Sequence, residues 1–239
     1  MVMALLVAGF AARADFLESS EKFLAGIRTP RSSGTWSILS GQVQHRRSGQ
    51  STIEALMRLA VLFTPKRMSA EVIMDKTQGY WLTQAFKVGS LPVVDPLNDA
   101  SRKKDNMLAH FGINPSDLTM SFIYWKMIKE LPRDTINLLE CRVFLLESPD
   151  KKEIVKVWIN VRYRFPLKCE WYKTPMKKNS KFYRALEVFA FAEIDKIWLV
   201  TGIDLYGEGW RTKVKFTKNR AGLLSKGRPD GLFLGLGKK

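Results

Sequence analysis

The stretch EIVKVWINVRY, residues 153–163, shows the clearest two-residue periodicity in the chain. Successive side chains of a strand point to opposite faces of the sheet. An antiparallel strand with one solvated face therefore alternates apolar and polar residues. The apolar set here is Val155, Val157, Ile159, Val161 and Tyr163, and the polar positions between them are Lys156, Asn160 and Arg162. Residues 153–163 thus predict a strand with one face in the core and one in solvent.

The same two-faced pattern recurs along most of the chain. In EGWRTKVKF, residues 208–216, the cations Arg211, Lys213 and Lys215 alternate with aromatic and apolar residues, so they form the outer face of a strand without any nucleic-acid module. Strands at intervals of about ten residues are typical of a meandering antiparallel sheet or barrel. We predict strands at residues 41–47, 55–63, 67–75, 79–86, 139–147, 153–163, 167–173, 182–191, 197–206 and 210–217, which gives about 10–11 strands.

Helical patterns occur at the start and in the middle of the chain. Asp15 with Glu18 resembles a capping box, and the helix that follows should end at Thr29, because the residue before a proline disfavours helical geometry. Residues 98–111 predict a second helix, and Asn114-Pro115 predicts the start of a third. The fold class is therefore mainly β with a few helices.

The first 14 residues have two possible interpretations. An apolar run ends in Ala12-Arg13-Ala14, the A-x-A pattern of a signal peptide cleaved after Ala14, although the cation expected at its start is missing. Residues 1–14 are then a truncated signal-peptide remnant; otherwise they form a small apolar strand of the mature fold. The first interpretation predicts export to the periplasm. The absence of a cysteine near the cleavage site predicts a protein that is not lipid-anchored.

The remaining chain is predicted to form one domain, residues 15–217, followed by a basic, glycine-rich and poorly ordered tail, residues 218–239. The net charge is +16, and residues 151–181 and 211–239 carry net +8 each, which accounts for the whole excess. Such a field attracts polyanions or anionic lipid surfaces. The alternative is that the charge serves only solubility.

No pattern typical of an enzyme is present. The two histidines, His45 and His110, have no cysteine, aspartate or second histidine at ligand spacing, and nucleotide-binding, nucleophile-elbow and zinc-protease motifs are missing. We therefore predict no catalytic residues, no cofactor and no metal. Cys141 and Cys169 should be free thiols, because a meander places them on either side of the strand at 153–163, opposite roughly Asn160 and Ile159.

Five short motifs, taken together and in order, resemble a known family. They are Trp36-x2-Leu39-x-Gly41, Asp117-Leu118-x3-Phe122-x2-Trp125, Cys141-Arg142-Val143, Val157-Trp158-Ile159 followed by Phe165-Pro166-Leu167-Lys168, and Trp210-Arg211-Thr212-Lys213. This order resembles the outer-membrane lipoprotein-sorting, or LolA-like, family of exported bacterial proteins. The resemblance extends from about Asp15 to Thr217.

The resemblance implies a fold and a function. The fold would be an unclosed antiparallel β-barrel of the LolA and LppX type, covered by an N-terminal helix and a helical lid, with an apolar cavity between them. The function would be that of a periplasmic, non-enzymatic carrier that holds the acyl chains of a lipid or lipoprotein. Carriers of this family keep the lid closed with an arginine, and the motifs align none of Arg46, Arg47 and Arg58 with it.

Two sets of residues are the candidate sites. Apolar side chains on the predicted inner faces could line a lipid cavity, where the flexible methionine side chain suits varied acyl chains: Met57, Met68, Val72, Tyr80, Leu82, Phe122 and Trp125. Cations on the outer faces could contact an anionic membrane surface or another polyanion, which is the alternative function: Lys156, Arg162, Lys168, Arg211, Lys213 and Lys215. We expect a monomer with lipid or acylated lipoprotein cargo, transient contact with an anionic membrane surface, and no nucleic-acid partner.

Overall fold

The structure, a computed structural model, describes residues 2–3, 18–29, 34–103 and 106–235. The strands are β1 (Val2–Met3), β2 (Thr35–Arg47), β3 (Ile53–Phe63), β4 (Arg67–Met74), β5 (Gln78–Ala85), β6 (Val93–Pro96), β7 (Lys126–Ile136), β8 (Leu139–Glu147), β9 (Glu153–Asn160), β10 (Pro166–Lys173), β11 (Arg184–Ile194), β12 (Ile197–Gly207) and β13 (Trp210–Leu223). The helices are α1 (Ser20–Arg28), α2 (Asp99–Arg102), α3 (Met107–His110) and α4 (Pro115–Thr119), followed by a short 3-10 helix, Ser121–Tyr124.

One antiparallel sheet dominates the fold. Its strand order is β6-β5-β4-β3-β2-β13-β12-β11-β10-β9-β8-β7, and β1 pairs with β12. The end strands β6 and β7 do not pair with each other, so the sheet is unclosed. The predicted fold class is confirmed, with two strands, β6 and β7, that the sequence patterns did not indicate.

The seam between β2 and β13 joins the beginning and the end of the domain. The two strands stay paired from Trp210 opposite Arg47 to Leu223 opposite Thr35. Both extend beyond the predicted ranges. At Gly41 the backbones approach so closely that a Cβ atom would lie 1.9 Å from the Lys215 carbonyl oxygen. Only glycine fits this contact, which lies next to a β-bulge at residues 216–218 of β13.

The strand β7 escaped prediction because it is an edge strand. Edge strands tolerate proline and charged residues, and both occur in β7, which contains Pro132 and is half exposed along its length. β6 has only four residues, too few for a periodicity to show. Together they form the two free edges of the sheet.

The helices differ from the prediction in their starting points and lengths. The cap of α1 is Ser19, whose side chain accepts from the Lys22 N–H, while Asp15 lies outside the described residues. The helix ends at Arg28, as the following Thr29-Pro30 predicted. The helix predicted over residues 98–111 is replaced by α2 and α3.

The start of α4 is as predicted. Asn114 caps the helix, Pro115 is its first residue, and the Asp117 carboxylate accepts from the Asn114 N–H at 2.7 Å. This capping box sets the entry of the chain into the interior of the sheet.

Both ends of the chain bear on the predicted domain limits. Val2 and Met3 pair with Leu199 and Trp198, and the rest of the predicted signal remnant, with its cleavage site, lies outside the described residues. At the other end β13 continues to Leu223, and residues 224–235 pack on the sheet. The expectation of a poorly ordered segment from residue 218 is therefore not met in its described part, because an extra strand length and an apolar patch hold it.

The concave side of the sheet encloses the main core. We call α2, α3, α4 and the 3-10 helix with Trp125 the helical segment; it connects the two free edges. Side chains from the helical segment, from α1 and from the inner faces of the strands form a single buried cluster. The helical segment therefore lies inside the sheet.

The helix α1 is fixed to the β7 side by charged groups. The Arg142 guanidinium donates to the Glu130 carboxylate at 2.7 Å and to the Glu18 carbonyl oxygen at 3.0 Å. Ser20 donates to the same carboxylate. Hydrogen bonding from Arg142 holds the pKa of Glu130 below its usual value. These contacts hold the start of α1 against β7 and β8.

The two cysteines lie on strands separated by β9. Cys141 on β8 is opposite Asn160, as predicted, and Cys169 on β10 is opposite Val157 rather than Ile159. Both are free thiols in the core. Burial raises the pKa of the Cys141 thiol to about 11 and that of Cys169 well above its usual value. Neither thiol is therefore activated as a nucleophile at neutral pH.

Candidate functional site

The structure brings all seven predicted cavity residues into the same core. The side chains of Met57, Met68, Val72, Tyr80, Leu82, Phe122 and Trp125 are all buried and belong to the one cluster inside the sheet. Five of them alternate along β3, β4 and β5, so the strand period predicted their orientation. Phe122 and Trp125 reach the same interior from the helical segment.

The helical segment fills the interior. Phe122 is fully buried and meets the ring of Trp171 on β10 edge-on, with 5.4 Å between ring centroids. Leu108, Ile113 and Ile123 are also almost completely buried. The sheet thus encloses part of its own chain.

Two small cavities remain between the helical segment and the sheet. One, of about 30 Å³, is lined by residues that include Leu59, Leu118 and Ile203. The other, of about 20 Å³, is lined by residues that include Phe63 and Ile123. Met68 and Met120 line both. Ligand pockets usually measure ~300–1,000 Å³, so neither cavity has room for such a ligand while the helical segment is in place.

A buried ion pair joins the helical segment to the sheet. The Arg184 guanidinium on β11 donates to the Asp117 carboxylate on α4, and the two side chains are 7% and 0% exposed. Burial raises the pKa of the Asp117 carboxyl, and the positive charge of Arg184 opposes that shift. Arg184 also lies over the ring of Trp171, 4.9 Å from its centroid. The ion pair between Asp117 and Arg184, buried in the apolar core, therefore holds α4 against the sheet.

A second arginine holds the other end of the helical segment. Arg28, the last residue of α1, donates to the carbonyl oxygens of Ile123 at 2.8 Å and Trp125 at 2.7 Å. These oxygens lie at the end of the 3-10 helix, where backbone acceptors lack partners within the helix. Arg28 thereby couples α1 to the helical segment.

Sequence reasoning missed both arginines as interior groups. Arg28 reads as an ordinary cation in the last turn of a helix. Only Arg184 could have been identified from the sequence, because it is a lone cation at the start of an apolar strand. Arg46 and Arg47 instead line a surface cleft, and Arg58 bonds to the C-terminal tail.

The six predicted surface cations do not form one patch. Lys156 and Lys168 lie over the ring of Trp158 on the outer face of β9 and β10, and Arg162 lies over Tyr163 in the following turn. The Lys168 ammonium also forms an ion pair with Glu170 at 3.0 Å. Part of this charge is therefore neutralised locally.

The cations of β13 form a continuous row on the outer face. We call Arg211, Lys213, Lys215, Lys218 and Arg220 the basic row. All five are exposed. Arg211 is paired with Asp204 at 2.6 Å. The other four form no ion pair with another described residue. The last two lie beyond the predicted end of the strand, so the sequence analysis left them out.

Two surface clefts flank this row. A cleft of about 590 Å³ at one end is lined by Arg46, Arg47 and Arg211. Another, of about 560 Å³, is lined by Lys218 and Arg220. Both linings combine cations with serine residues, a chemistry suited to anions, although Asp230 adds one carboxylate to the second cleft.

The described residues form neither a metal cluster nor a membrane-spanning helix. Within residues 2–3, 18–29, 34–103 and 106–235, no three metal-ligating side chains come together. In the same ranges no helix has the length and apolar character needed to cross a membrane.

Solved structures with the same fold decide the architecture. A DUF1329 family protein from Desulfovibrio piger superposes with a TM-score of 0.64 at 12% identity, over 90% of this chain and 96% of the other. A protein domain from Vibrio parahaemolyticus, described as outer membrane lipoprotein-sorting, gives 0.63 at 16% identity, over 89% and 96%. This chain has the LolA-like fold.

A further LolA-like structure supports the same assignment. A LolA superfamily protein from Nitrosomonas europaea superposes with a TM-score of 0.54 at 13% identity, over 85% of this chain and 93% of the other. No protein-family model matches the chain, and no curated protein matches it. At these identities the comparisons show the shared LolA-like fold alone. What this chain binds has to be argued from its own residues.

Proposed function

We propose that the protein is a non-enzymatic, exported carrier that holds the acyl chains of a lipid or lipoprotein inside the unclosed barrel. The observation that carries this proposal is the interior itself. The sheet presents an apolar inner face, and a segment of short helices, rather than another layer of sheet, packs against it. The LolA-like fold and the similarity to a lipoprotein-sorting domain agree with this proposal.

Cargo would enter by replacing the helical segment. Short helices have few internal hydrogen bonds and can shift as units. Met68 on β4 and Met120 at the end of α4 meet at both interior cavities, and flexible methionine side chains adapt to differently shaped acyl chains. Opening would also move the carboxylate of Asp117 away from Arg184, so the empty state is held closed by more than apolar contacts.

The hydrogen bonds of Arg28 offer the most direct test of this opening. Arg28→Met keeps an unbranched apolar stem but removes both bonds to the helical segment. Hydrogen bonds from a charged donor contribute ~1.5–3 kcal/mol each. We therefore expect a fluorescent C16 fatty acid to enter the variant at least ~10-fold faster than the parent chain in stopped-flow mixing, since a factor of ten needs only ~1.4 kcal/mol.

The matched control is Arg46→Met, which removes an exposed cation away from the helical segment and should leave the rate unchanged. Equal rates for the parent and Arg28→Met would contradict opening at this end. Failure of every variant to take up the fatty acid would contradict the carrier proposal.

The basic row favours a second function, binding to an anionic membrane surface. Four exposed cations without an ion-pair partner among the described residues lie on one strand, beside clefts that suit headgroup anions. Each cation near an anionic bilayer contributes ~1 kcal/mol. This surface could act alone or bring a carrier to the membrane.

Vesicle co-sedimentation of the full chain tests the second function. The triple variant Lys213→Gln, Lys215→Gln, Lys218→Gln should lose ~100-fold in affinity for phosphatidylglycerol vesicles, since three contributions of ~1 kcal/mol are removed. A control with the same net charge changes the exposed loop residues Lys177, Lys178 and Lys181 to glutamine. Similar losses in both triple variants would show that only net charge matters. Binding of heparin without binding of vesicles would identify a polyanion site instead.

A further inference from the structure

The outer face of the sheet carries a second apolar cluster, separate from the interior. Trp36 on β2 and Ala60 on β3 form its floor, and Leu232 of the C-terminal tail covers them and is 1% exposed. Gly222 on β13 lies against the ring of Trp36, where an added Cβ would sit 2.8 Å from a ring carbon. The close approach leaves the Trp36 ring as a flat platform on the outer surface.

Two charged side chains on this face contact the backbone of the tail. Arg58 on β3 donates to the carbonyl oxygens of Gly231 at 2.7 Å and Leu232 at 2.9 Å. Glu71 on β4 accepts from the N–H groups of Leu234 at 2.8 Å and Gly235 at 2.7 Å. The tail backbone is therefore bound at four polar groups within residues 231–235 without pairing as a strand.

The two charged residues support each other. Arg58 and Glu71 form an ion pair at 3.1 Å, and the Glu71 side chain is 1% exposed. A carboxylate buried this deeply on the outside of a sheet requires partners. Two of the partners of the Glu71 carboxylate are N–H groups of the tail, and the third is Arg58.

An aromatic contact fixes the register of the tail. Phe233 meets the ring of Trp81 on β5 edge-on, with 4.7 Å between centroids, and the Arg228 guanidinium lies over the Phe233 ring, 5.1 Å from its centroid. Leu232 and Phe233 thus fill adjacent positions on Trp36 and Trp81. Pockets for neighbouring side chains combined with backbone hydrogen bonds are the general basis of peptide recognition.

We propose that Trp36, Arg58, Glu71 and Trp81 form a peptide-binding groove for a Leu-Phe-Leu segment flanked by glycines. Its ligand is the C-terminal segment of this chain, bound in cis and recognisable in trans when the cis segment is released. The contacts are made to backbone groups and two apolar side chains, so they do not depend on a covalent connection to the sheet. The groove is also independent of the interior cavity and of the carrier proposal.

The groove is tested with a labelled peptide of residues 227–235 and the full chain. In the parent chain the cis segment competes at an effective concentration in the mM range, so the peptide should bind weakly. The variant Leu232→Ser, Phe233→Ser keeps the groove but weakens the cis segment. By fluorescence anisotropy we expect it to bind the peptide at least ~10-fold more tightly than the parent does.

Two controls identify the binding site. Adding Glu71→Gln to that variant should reverse the gain at least ~10-fold, because the amide cannot accept from both peptide N–H groups. A peptide with serine in place of Phe233 should not bind. A tail variant that retains the parent melting temperature yet gains no peptide affinity contradicts the proposal, as does a gain that Glu71→Gln leaves unchanged.

Hydrogen exchange of the parent chain keeps the proposal testable if the tail variant does not fold. The amides of Leu234 and Gly235 should exchange at least ~10-fold more slowly than in the free peptide, and Glu71→Gln should abolish this protection without changing that of β13. Exchange of both amides at the rate of the free peptide would overturn the groove.

Discussion

Asp117→Ala is expected to destabilise the protein by about 3–5 kcal/mol, because it leaves the Arg184 guanidinium buried without its carboxylate. Arg184 is 7% exposed as a side chain, and its remaining contact described above is the face of Trp171. Chemical denaturation followed by tryptophan fluorescence measures the loss. A change below about 1 kcal/mol would mean that the pair is open to solvent and does not hold the helical segment.

Two matched variants separate charge from the other roles of Asp117. Asp117→Asn keeps an acceptor for the Asn114 N–H, so its difference from Asp117→Ala reports the capping box, which contributes ~1 kcal/mol. The double variant Asp117→Leu, Arg184→Leu removes both charges and should recover most of the stability, as hydrophobic replacement of buried ion pairs often does. A double variant as unstable as Asp117→Ala would argue against an unpaired charge as the cause.

Phe122→Ala is expected to cost a similar ~3–5 kcal/mol for a different reason, the cavity left under a fully buried ring. The lost ring packs edge-on against Trp171 in the middle of the interior. Because the surroundings are apolar, the new space should bind a small apolar ligand. Saturating benzene is therefore expected to raise the melting temperature of the variant but not that of the parent.

The control for this variant is Phe189→Ala on the outer face, where the ring is 38% exposed. It should cost less than Phe122→Ala and show no effect of benzene. If Phe122→Ala proved nearly neutral and insensitive to benzene, the helical segment would not be packed in the interior in solution.

The alternation of residue types was sufficient to predict where most strands lie, although the face of β4 that carries Ser69 and Glu71 is buried rather than solvated. It located β3, β4, β8 and β12 to within about two residues, and it oriented Met57, Met68, Val72 and Leu82 correctly. It failed for β7, where an edge position allows Pro132 and charged residues. Residue alternation arises when one face of a strand is buried, and an edge strand has too little buried surface to show it.

Contacts between distant parts of the chain were beyond the reach of sequence patterns. Asp117 and Arg184 are separated by 67 residues, and only the folded sheet brings them together. The tail was predicted to be poorly ordered from its glycines and cations, yet Glu71 and Trp81 bind it more than 150 residues away from their own positions. In both cases the decisive partner lies on another element and leaves no local signal.

The location of the positive charge was only partly predictable. Its concentration in residues 151–181 and 211–239 is visible in the sequence, but its neutralisation is not. Lys168 is paired with Glu170, and Arg211 with Asp204, whereas Lys218 and Arg220 extend the row beyond the predicted strand. The pairing of β13 with β2 sets the register and length of β13. These in turn decide which of its cations are exposed without an ion-pair partner among the described residues.

Native mass spectrometry tests the central claim, that the interior accepts acyl chains, most directly. The full chain would be exported to a bacterial periplasm, purified, and measured before and after incubation with phospholipid and with a triacylated lipopeptide, followed by solvent extraction of the bound molecule. The account predicts one acylated molecule per chain, either copurified or taken up during incubation. A mass that stays that of the protein alone under all of these conditions would contradict it.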